Sequence, residues 1–221
     1  MLETNLKEIL ELIKNGNNLG EKITLVGATK TIDVEVINKA ISLGLEVVAE
    51  NRVQEFNLKH EHIIGAKQHF IGHLQTNKVK YLVGKVDLIH SVDSVHLAQA
   101  ISDMSLKREV TQNVLLEVNV GGELSKSGVT LENAVDIFKE ISTLPNVCVK
   151  GLMAMLPKSE DEQYLAGLCL KMRNLYDTLK ENGYPLTYLS IGMSGDYKIA
   201  VKNGSNMIRL GRTIFGERGV K

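Results

Sequence analysis

Short, continuous apolar runs recur along the chain and alternate with longer stretches whose apolar residues have helical spacing. The runs occupy residues 23–28, 46–49, 68–72, 87–91, 113–120, 147–154, 186–192 and 206–211. Continuous runs of Val, Ile and Leu are typical of parallel strands that are covered on both faces. The hydrophobic pattern therefore predicts eight buried parallel strands.

The stretches between these runs have the pattern of amphipathic helices. In one of them, Ile37, Ala40 and Ile41 share a face, and Gly44 follows at the position of a C-cap. The longest such pattern covers residues 161–183. Because strands and helices alternate through eight units, the sequence predicts an α/β fold, specifically a (β/α)8 TIM barrel.

The length of the chain agrees with a single barrel. Residues 1–16 add one amphipathic helix before the first predicted strand, and no Pro-, Gly- or Ser-rich linker interrupts the remaining sequence. A chain of 221 residues is long for an ordinary domain but fits one α/β barrel. We therefore expect residues 1–221 to form one barrel domain with an extra N-terminal helix.

Composition narrows the classes of partner. The 26 basic and 26 acidic residues cancel, so no global field favours nucleic acid or an anionic membrane, and 5% aromatic residues leave little surface for stacking bases. Cys148 and Cys169 lack metal-binding spacing and are expected to be small buried apolar residues. Residues 1–16 are unlike a secretory signal, and no apolar run is long enough to span a bilayer. These features predict a cytoplasmic protein without nucleic-acid or membrane partners.

The first predicted strand ends in a lysine, within the sequence VGATKTID over residues 26–33. An ammonium group is costly to bury, and a desolvated lysine loses its proton readily, which suits it to amine chemistry on a carbonyl group. The alternative is a solvent-exposed position where the strand emerges from the core. The barrel prediction places Lys30 at the C-terminal rim, where the active-site residues of this fold lie.

Two glycine-containing turns follow the last two predicted strands, over residues 192–196 (GMSGD) and 210–213 (LGRT). Barrels of this class often bind phosphate at these loops, because glycines let backbone N–H groups close on an anion and a helix N-terminus adds partial positive charge. Ser194 can donate its hydroxyl to such an anion. The structural alternatives are that Ser194 is a helix N-cap and that Gly211 forms a tight turn.

Arg209 lies among apolar residues in the last predicted strand, MIRLG. Because an unpaired buried arginine is costly, it needs a partner: an acidic ligand, a ring nitrogen, or an internal carboxylate such as Glu50 or Asp196. The first and last strands of a closed barrel are neighbours, so Lys30, Arg209 and the phosphate loops are expected to adjoin. A phosphorylated carbonyl compound would satisfy all three groups.

Other polar residues follow the second, third and fifth predicted strands. Asn51 either lines a ligand pocket or caps a helix, since Asn51 and Gln54 have the spacing of a capping box. His73 is a candidate acid or base, although most single histidines are neither, and its spacing from His69 lacks the helical geometry of a metal pair. Residues 125–128, SKSG, form either a polar turn or a lid.

Seven segments can be compared as a set with known families: VGATKT, AENRVQE, HFIGHLQTNK, LLEVNVGGELSKSG, GLMAM, LSIGMSGD and MIRLGRTIFGER. Together, over essentially the whole chain, they resemble the pyridoxal phosphate homeostasis protein family, whose members are single-domain barrels similar to the N-terminal barrel of alanine racemase. The resemblance implies that Lys30 carries pyridoxal 5'-phosphate (PLP) as an internal Schiff base and that Arg209 faces the pyridine nitrogen. It further implies phosphate contacts from Ser194, Gly211 and the backbone of Arg212, and a pocket lined by Asn51 and Met193.

The chain departs from the family's pattern at a few positions. The family commonly reads S-K-T-K-P where this chain reads TKTID, so Thr29 replaces a serine and Ile32 replaces a second lysine. The second change removes a nearby amine and argues against transfer of PLP between two lysines at this turn. The family's F-G-E-N is VAEN here, and its G-T after the last strand is Gly211-Arg212. The last change removes a hydroxyl and adds a guanidinium close to the phosphate loop.

The expected role is binding rather than catalysis. PLP chemistry uses a protonated pyridine ring as an electron sink, whereas a permanently charged donor such as Arg209 favours an unprotonated ring. Two-base racemisation also needs a second acid or base opposite Lys30, which alanine racemase takes from another domain and subunit. We therefore expect a monomeric carrier or regulator of vitamin B6 supply and amino-acid balance, with PLP and PLP-dependent apo-enzymes as partners. The open alternatives are a PLP-dependent amino-acid racemase that uses His73, and a Schiff-base aldolase barrel.

Overall fold

The computed structural model describes residues 1–123 and 125–216 of the chain. Nine parallel strands form its sheet: β1 (Thr24–Ala28), β2 (Val47–Glu50), β3 (Lys67–Phe70), β4 (Leu88–Val92), β5 (Gln112–Asn119), β6 (Val129–Thr130), β7 (Val147–Met153), β8 (Tyr188–Ser190) and β9 (Met207–Leu210). Strands β1 to β5 and β7 to β9 close into a ring, because β1 pairs with β9 and β4 pairs with β5. The two-residue strand β6 pairs with β5 only.

The ring confirms the predicted barrel. Each of the eight barrel strands begins and ends within about two residues of a continuous apolar run in the sequence. Such runs are buried on both faces, since alternate side chains point into the barrel and towards the helices. The sequence did not predict β6, because two residues are too few to give a periodic signal.

Eight α-helices accompany the strands: α1 (Leu2–Ile13), α2 (Val34–Ser42), α3 (Val53–Lys59), α4 (Val95–Lys107), α5 (Ala134–Ser142), α6 (Glu162–Glu181), α7 (Tyr197–Lys202) and α8 (Arg212–Phe215). Short 3-10 helices cover His60–His62 and Thr76–Tyr81, the second of which stands where a longer helix would follow β3. No helix within the described ranges is long and apolar enough to cross a membrane.

Helix α1 is the predicted extra N-terminal helix. It buries Leu6, Ile9 and Ile13 in a cluster that also contains Ile214 of α8. Asn5 Nδ2 donates a hydrogen bond to the Ile214 carbonyl at 3.2 Å. Burial of each large aliphatic side chain contributes about 1.5–3 kcal/mol. This apolar face therefore holds α1 against α8, the helix that follows the last barrel strand.

Two helix caps considered as alternatives in the sequence do not form. Helix α3 begins at Val53 with Arg52 at the N-cap position and no side-chain cap, so the capping box considered for Asn51 and Gln54 is absent from this helix. Helix α7 has Asp196 rather than Ser194 at its N-cap position. Asn51 therefore does not cap α3, and Ser194 does not cap the helix that follows it in the chain.

The two cysteines differ in their environments. Cys169 is fully buried on α6, as expected, and burial raises the pKa of its thiol to about 12. Cys148, the second residue of β7, is only half-buried, in contrast to the burial expected from the sequence.

The interior of the barrel contains an apolar layer and several buried polar side chains. The apolar layer is built by Val26, Val47, Ala49, Leu88, Leu115, Met153 and Met207. On the same inward faces lie the buried polar residues His69, His90, Glu117, Ser190 and Arg209. Since buried polar groups are costly without partners, these five residues require a specific explanation.

Candidate functional site

The C-terminal ends of β1, β8 and β9 meet at one rim of the barrel. The register between β1 and β9 pairs Val26 with Arg209 and Gly27 with Leu210. A Cβ added at Gly211 would lie 3.4 Å from the Ala28 carbonyl oxygen, so the turn after β9 passes close to the end of β1. The lysine turn and the last glycine turn therefore occupy the same part of the rim.

The two glycine turns also touch each other. The backbone N–H of Thr213, in the first turn of α8, donates to Ser194 Oγ at 3.4 Å. The turn after β8 is closed by Asp196, whose Oδ1 accepts a hydrogen bond from the Met193 N–H at 2.6 Å. The side chain of Met193 is exposed at the rim. Ser194, Gly211 and Arg212 are thus neighbours through adjoining turns, as the sequence suggested.

The backbone around Lys30 is held on both sides. The buried Thr29 donates its N–H to the Ala49 carbonyl at 2.9 Å and its hydroxyl to Glu50 Oε1 at 2.7 Å. Thr31 has a positive φ of 63° and donates its N–H to a carboxylate oxygen of Glu55 at 2.8 Å. Among the described residues, the Lys30 ammonium has neither a hydrogen bond nor an ion pair. The backbone on both sides of Lys30 is therefore fixed, while its ammonium group is free to bind a ligand.

A second lysine occupies the same network but is fully engaged. Lys59 Nζ lies 2.7 Å from Glu50 Oε1, 3.0 Å from Glu55 Oε2 and 3.0 Å from the Thr29 carbonyl oxygen. Although partial burial acts to raise it, the Thr31 N–H and the Lys59 ammonium hold the pKa of Glu55 below its ordinary value. The carboxylates thus pair with Lys59 and brace the turn that carries Lys30.

Arg209 is buried inside the barrel and bonded to neutral groups. Its Nη1 donates to the carbonyl and hydroxyl oxygens of Ser190, at 2.8 and 2.6 Å, and its Nη2 donates to the Ala154 carbonyl at 3.0 Å. No carboxylate of the described chain lies within ion-pair distance, so the proposed salt bridge to Glu50 or Asp196 is wrong. Burial lowers the pKa of Arg209 to about 10, against the opposing effects of Glu117 and Asp196, and the group stays charged at neutral pH.

Glu117 is a buried carboxyl that the sequence analysis missed. It lies on β5, the fourth strand from β1 in either direction around the ring, and shares the inward face with Leu115. Burial, together with the charge of Asp93, raises the pKa of Glu117 to about 7, although Arg209 acts to lower it. An acidic residue within an otherwise apolar run was the signal that could have identified it.

The remaining rim candidates differ in their surroundings. Asn51 has a buried Oδ1 without a hydrogen-bond partner in the described part of the chain, as has Oε2 of the adjacent Glu50. The side chain of His73 is 61% exposed, and its Nδ1 lies 3.5 Å from Asp93 Oδ2 and 3.3 Å from Ser127 Oγ. His73 therefore contacts the SKSG loop from the surface and does not enter the barrel interior.

A large cavity within the described residues lies at the other rim. It has a volume of about 910 Å³ and is lined by the first residues of several strands, including Thr24, Val47, Lys67 and Tyr188, and by His69. Cavity size alone would place a ligand there. The paired loops, the available amine and the buried guanidinium instead identify the C-terminal rim as the candidate site.

Comparison with known proteins gives a consistent set of relatives. Residues 2–219 match the family model described as alanine racemase, N-terminal domain. A pyridoxal phosphate homeostasis protein of Aquifex aeolicus is 47% identical over 88% of this chain and 86% of its own length. The protein of the same name from Escherichia coli is 34% identical over 90% of this chain and 87% of its own.

Solved structures resemble the fold closely. An unknown protein from Bifidobacterium adolescentis superposes with a TM-score of 0.91 and 33% identity, over 97% of this chain and 94% of that chain. PipY of Synechococcus elongatus, determined with PLP bound, gives a TM-score of 0.84 and 27% identity, over 96% and 100% of the two chains. An alanine racemase of Clostridium difficile has a TM-score of 0.81 but only 18% identity, over 98% of this chain and 56% of that one, a likeness of fold alone.

Proposed function

This chain belongs to the pyridoxal phosphate homeostasis protein family, within the wider alanine racemase N-terminal domain family, and on that premise we propose that it binds PLP through Lys30 and serves in PLP homeostasis. The observation that carries the proposal is the lysine turn. Lys30 stands on backbone fixed by Glu50 and Glu55, without a partner for its own ammonium group among the described residues, next to two mutually bonded glycine turns.

The residues at this rim fit the chemical groups of PLP. Lys30 supplies an amine for the aldehyde, and their condensation to a Schiff base releases one water molecule. Ser194, whose hydroxyl accepts from the Thr213 N–H and can still donate its own proton, suits the phosphate together with the backbone at Gly211 and Arg212. The Oδ1 of Asn51, unpartnered among the described residues, can accept a hydrogen bond inside the pocket. When bound, PLP supplies an electron-withdrawing ring to an attached amine.

Arg209 supports a binding role over efficient catalysis. A guanidinium donates hydrogen bonds and cannot accept a proton from the ring, so it favours an unprotonated pyridine nitrogen and a weaker electron sink. His73, the second base considered for a racemase, is a surface side chain. We therefore propose that amino-acid turnover is absent or slow. Solvent deuterium exchange at Cα at ordinary enzyme rates, about 1 per second or more, would overturn this part of the proposal.

The proposed role also implies a cellular location, an oligomeric state and a class of partner. We infer that it acts in the cytoplasm as a monomer, holds PLP and releases it to PLP-dependent apo-enzymes. The balanced charge of 26 basic and 26 acidic residues supports the expectation that neither nucleic acid nor an anionic membrane is its partner. The test is the rate at which a purified apo-enzyme gains activity when PLP is supplied by this protein, compared with the same amount of free PLP. A rate no faster than release of PLP into solution would contradict direct transfer.

The direct test of the site is borohydride reduction in the presence of PLP, followed by peptide mapping. We expect one stable modification, on Lys30, and its loss in Lys30→Ala. Lys67→Ala is the matched control, because Lys67 is an exposed lysine in the wall of the cavity at the opposite rim. Labelling of Lys67 in preference to Lys30, or no labelling at all, would refute the assignment.

A further inference from the structure

A row of polar side chains crosses the interior of the barrel. His69 Nδ1 lies 3.0 Å from His90 Nε2, on the neighbouring strands β3 and β4. His90 Nδ1 lies 3.3 Å from Ser190 Oγ, which belongs to β8 on the other side of the barrel. Arg209 Nη1 on β9 completes the row with a hydrogen bond of 2.6 Å to the same Ser190 oxygen. All four side chains are buried.

The two ends of the row have different surroundings. Arg209 lies at the level of the C-terminal rim, near the proposed PLP site. His69 forms part of the wall of the 910 Å³ cavity at the N-terminal rim. Because its Nδ1 is bonded to His90, Nε2 is the nitrogen of His69 that is left for this cavity. A polar cavity of this size can hold water, which can accept a hydrogen bond from the ring.

The hydrogen-bond direction follows from the guanidinium. Arginine has only donors, so Ser190 Oγ accepts from Arg209, and its own O–H is free to donate to His90 Nδ1. His90 then carries its proton on Nε2 and donates to His69 Nδ1, which places the proton of His69 on Nε2. The reverse direction would leave the buried Ser190 hydroxyl proton without an acceptor among the described residues, at a cost of about 1–3 kcal/mol.

Both histidines are neutral in this arrangement. Burial, with a contribution from Lys67, lowers the pKa of His69 to about 3. Burial also holds the pKa of His90 well below its ordinary value, and the positive charge of Arg209 adds to this effect. The row therefore contains one permanent charge, at Arg209, and three neutral groups whose dipoles all point the same way. Such an aligned row stabilises the charge without neutralising it.

We propose that Ser190, His90 and His69 are positioning residues for Arg209, forming a one-directional hydrogen-bonded chain that runs from the guanidinium to the cavity at the N-terminal rim. The chain fixes Nη1 against β8, so that the guanidinium keeps one orientation while its Nε–H, which has no hydrogen-bond partner among the described residues, stays available as one of its remaining donors. The inference rests on the proposed function only in its last step, that the group which receives those donors is the ring nitrogen of PLP.

The first experiment uses the ligand-free wild-type protein and therefore does not depend on PLP binding. Nitrogen-15 NMR of histidine-labelled protein at pH 7 should show His69 and His90 both neutral and both protonated on Nε2. A proton on Nδ1 of either ring, or a doubly protonated ring, would overturn the chain. If wild-type protein fails to bind PLP, the proposed function falls, and this measurement still decides the direction of the chain.

The second experiment removes the central link with Ser190→Ala. Loss of a donor at His90 Nδ1 should shift the His90 ring nitrogen signals and lower PLP affinity about 3- to 10-fold, the range for one ordinary hydrogen bond. The control is Ser102→Ala, which removes an equally buried hydroxyl that bonds only the Pro145 carbonyl outside the barrel. Unchanged His90 signals and affinity in Ser190→Ala, or equal changes in both variants, would overturn the positioning role.

Discussion

Lys30 and Lys59 stand beside the same carboxylates, yet they differ in almost every contact. Lys59 has Glu50, Glu55 and the Thr29 carbonyl within 3.0 Å, whereas Lys30 contacts none of these groups with its ammonium. Lys59 neutralises a carboxylate that is only 2% exposed. The ion pairs at this rim therefore hold the backbone that carries Lys30, and they leave the Lys30 side chain free to react.

The largest expected effect in this comparison is on stability. Lys59→Met should lower the free energy of unfolding by about 3–5 kcal/mol, because it leaves Glu50 buried without a cation. Lys30→Met should change stability by less than about 0.5 kcal/mol, because no contact of its ammonium is lost. Urea denaturation of both variants measures the difference. Equal destabilisation by the two substitutions would contradict the division of roles.

The sequence predicted the position of Lys30 but not the partner of Lys59. A lysine at the end of a continuous apolar run marks a rim, since the run itself identifies a barrel strand. Lys59 lies in an ordinary helical pattern, and nothing in its spacing shows that α3 folds back over Glu50. Local periodicity carries no information on which carboxylate a distant lysine meets.

The interior polar residues show the same limit. His90, Glu117 and Ser190 lie in runs that are apolar on both faces, so the alternation that identifies inward positions on half-buried strands is missing. Arg209 was recognised only because a charged residue in such a run stands out. Its partner, Ser190, could not be predicted from the sequence, because the two residues meet only where β8 pairs with β9 in the folded barrel.

Glu117 differs from Glu50 and Glu55 because it makes no ion pair with any residue that the structure describes. Its folded-state pKa is about 7, compared with an ordinary 4.5, so folding favours the protonated acid. The unfolded chain releases this proton at lower pH, and stability therefore falls as pH rises from 4.5 to 7, by roughly 3 kcal/mol at most. Glu117→Gln should remove this slope.

Denaturation midpoints at pH 5 and pH 8 measure the Glu117 effect. Wild-type protein should lose more stability than Glu117→Gln between these values. Glu132→Gln is the control, because Glu132 is exposed in the turn before α5. Parallel pH profiles for wild-type and Glu117→Gln would mean that the carboxyl is paired in the folded protein, as Glu50 is.

Substitution of Ser194 tests whether the rim beside Lys30 binds the phosphate group of PLP. Ser194→Ala should weaken PLP binding by about 1.5–3 kcal/mol, the range for a hydrogen bond to a charged group, and should leave the weaker binding of pyridoxal unchanged. Ser159→Ala is the control, since Ser159 lies in a loop where its Oγ accepts a hydrogen bond from the Asp161 N–H at 3.0 Å, its one side-chain bond to the described residues. Equal losses for PLP and pyridoxal would separate Ser194 from the phosphate.

The smallest expected effect belongs to His73, the rim residue that most resembles an acid or base in the sequence. Its side chain is 61% exposed, and its contacts to Asp93 and Ser127 are long, at 3.5 and 3.3 Å. Exposed pairs of this kind contribute about 0–1 kcal/mol. His73→Ala should therefore change unfolding free energy by less than 1 kcal/mol and leave borohydride labelling of Lys30 intact. A slow Cα deuterium exchange that disappears in His73→Ala would instead show that this surface histidine acts on bound substrate, and would contradict its assignment as a surface side chain.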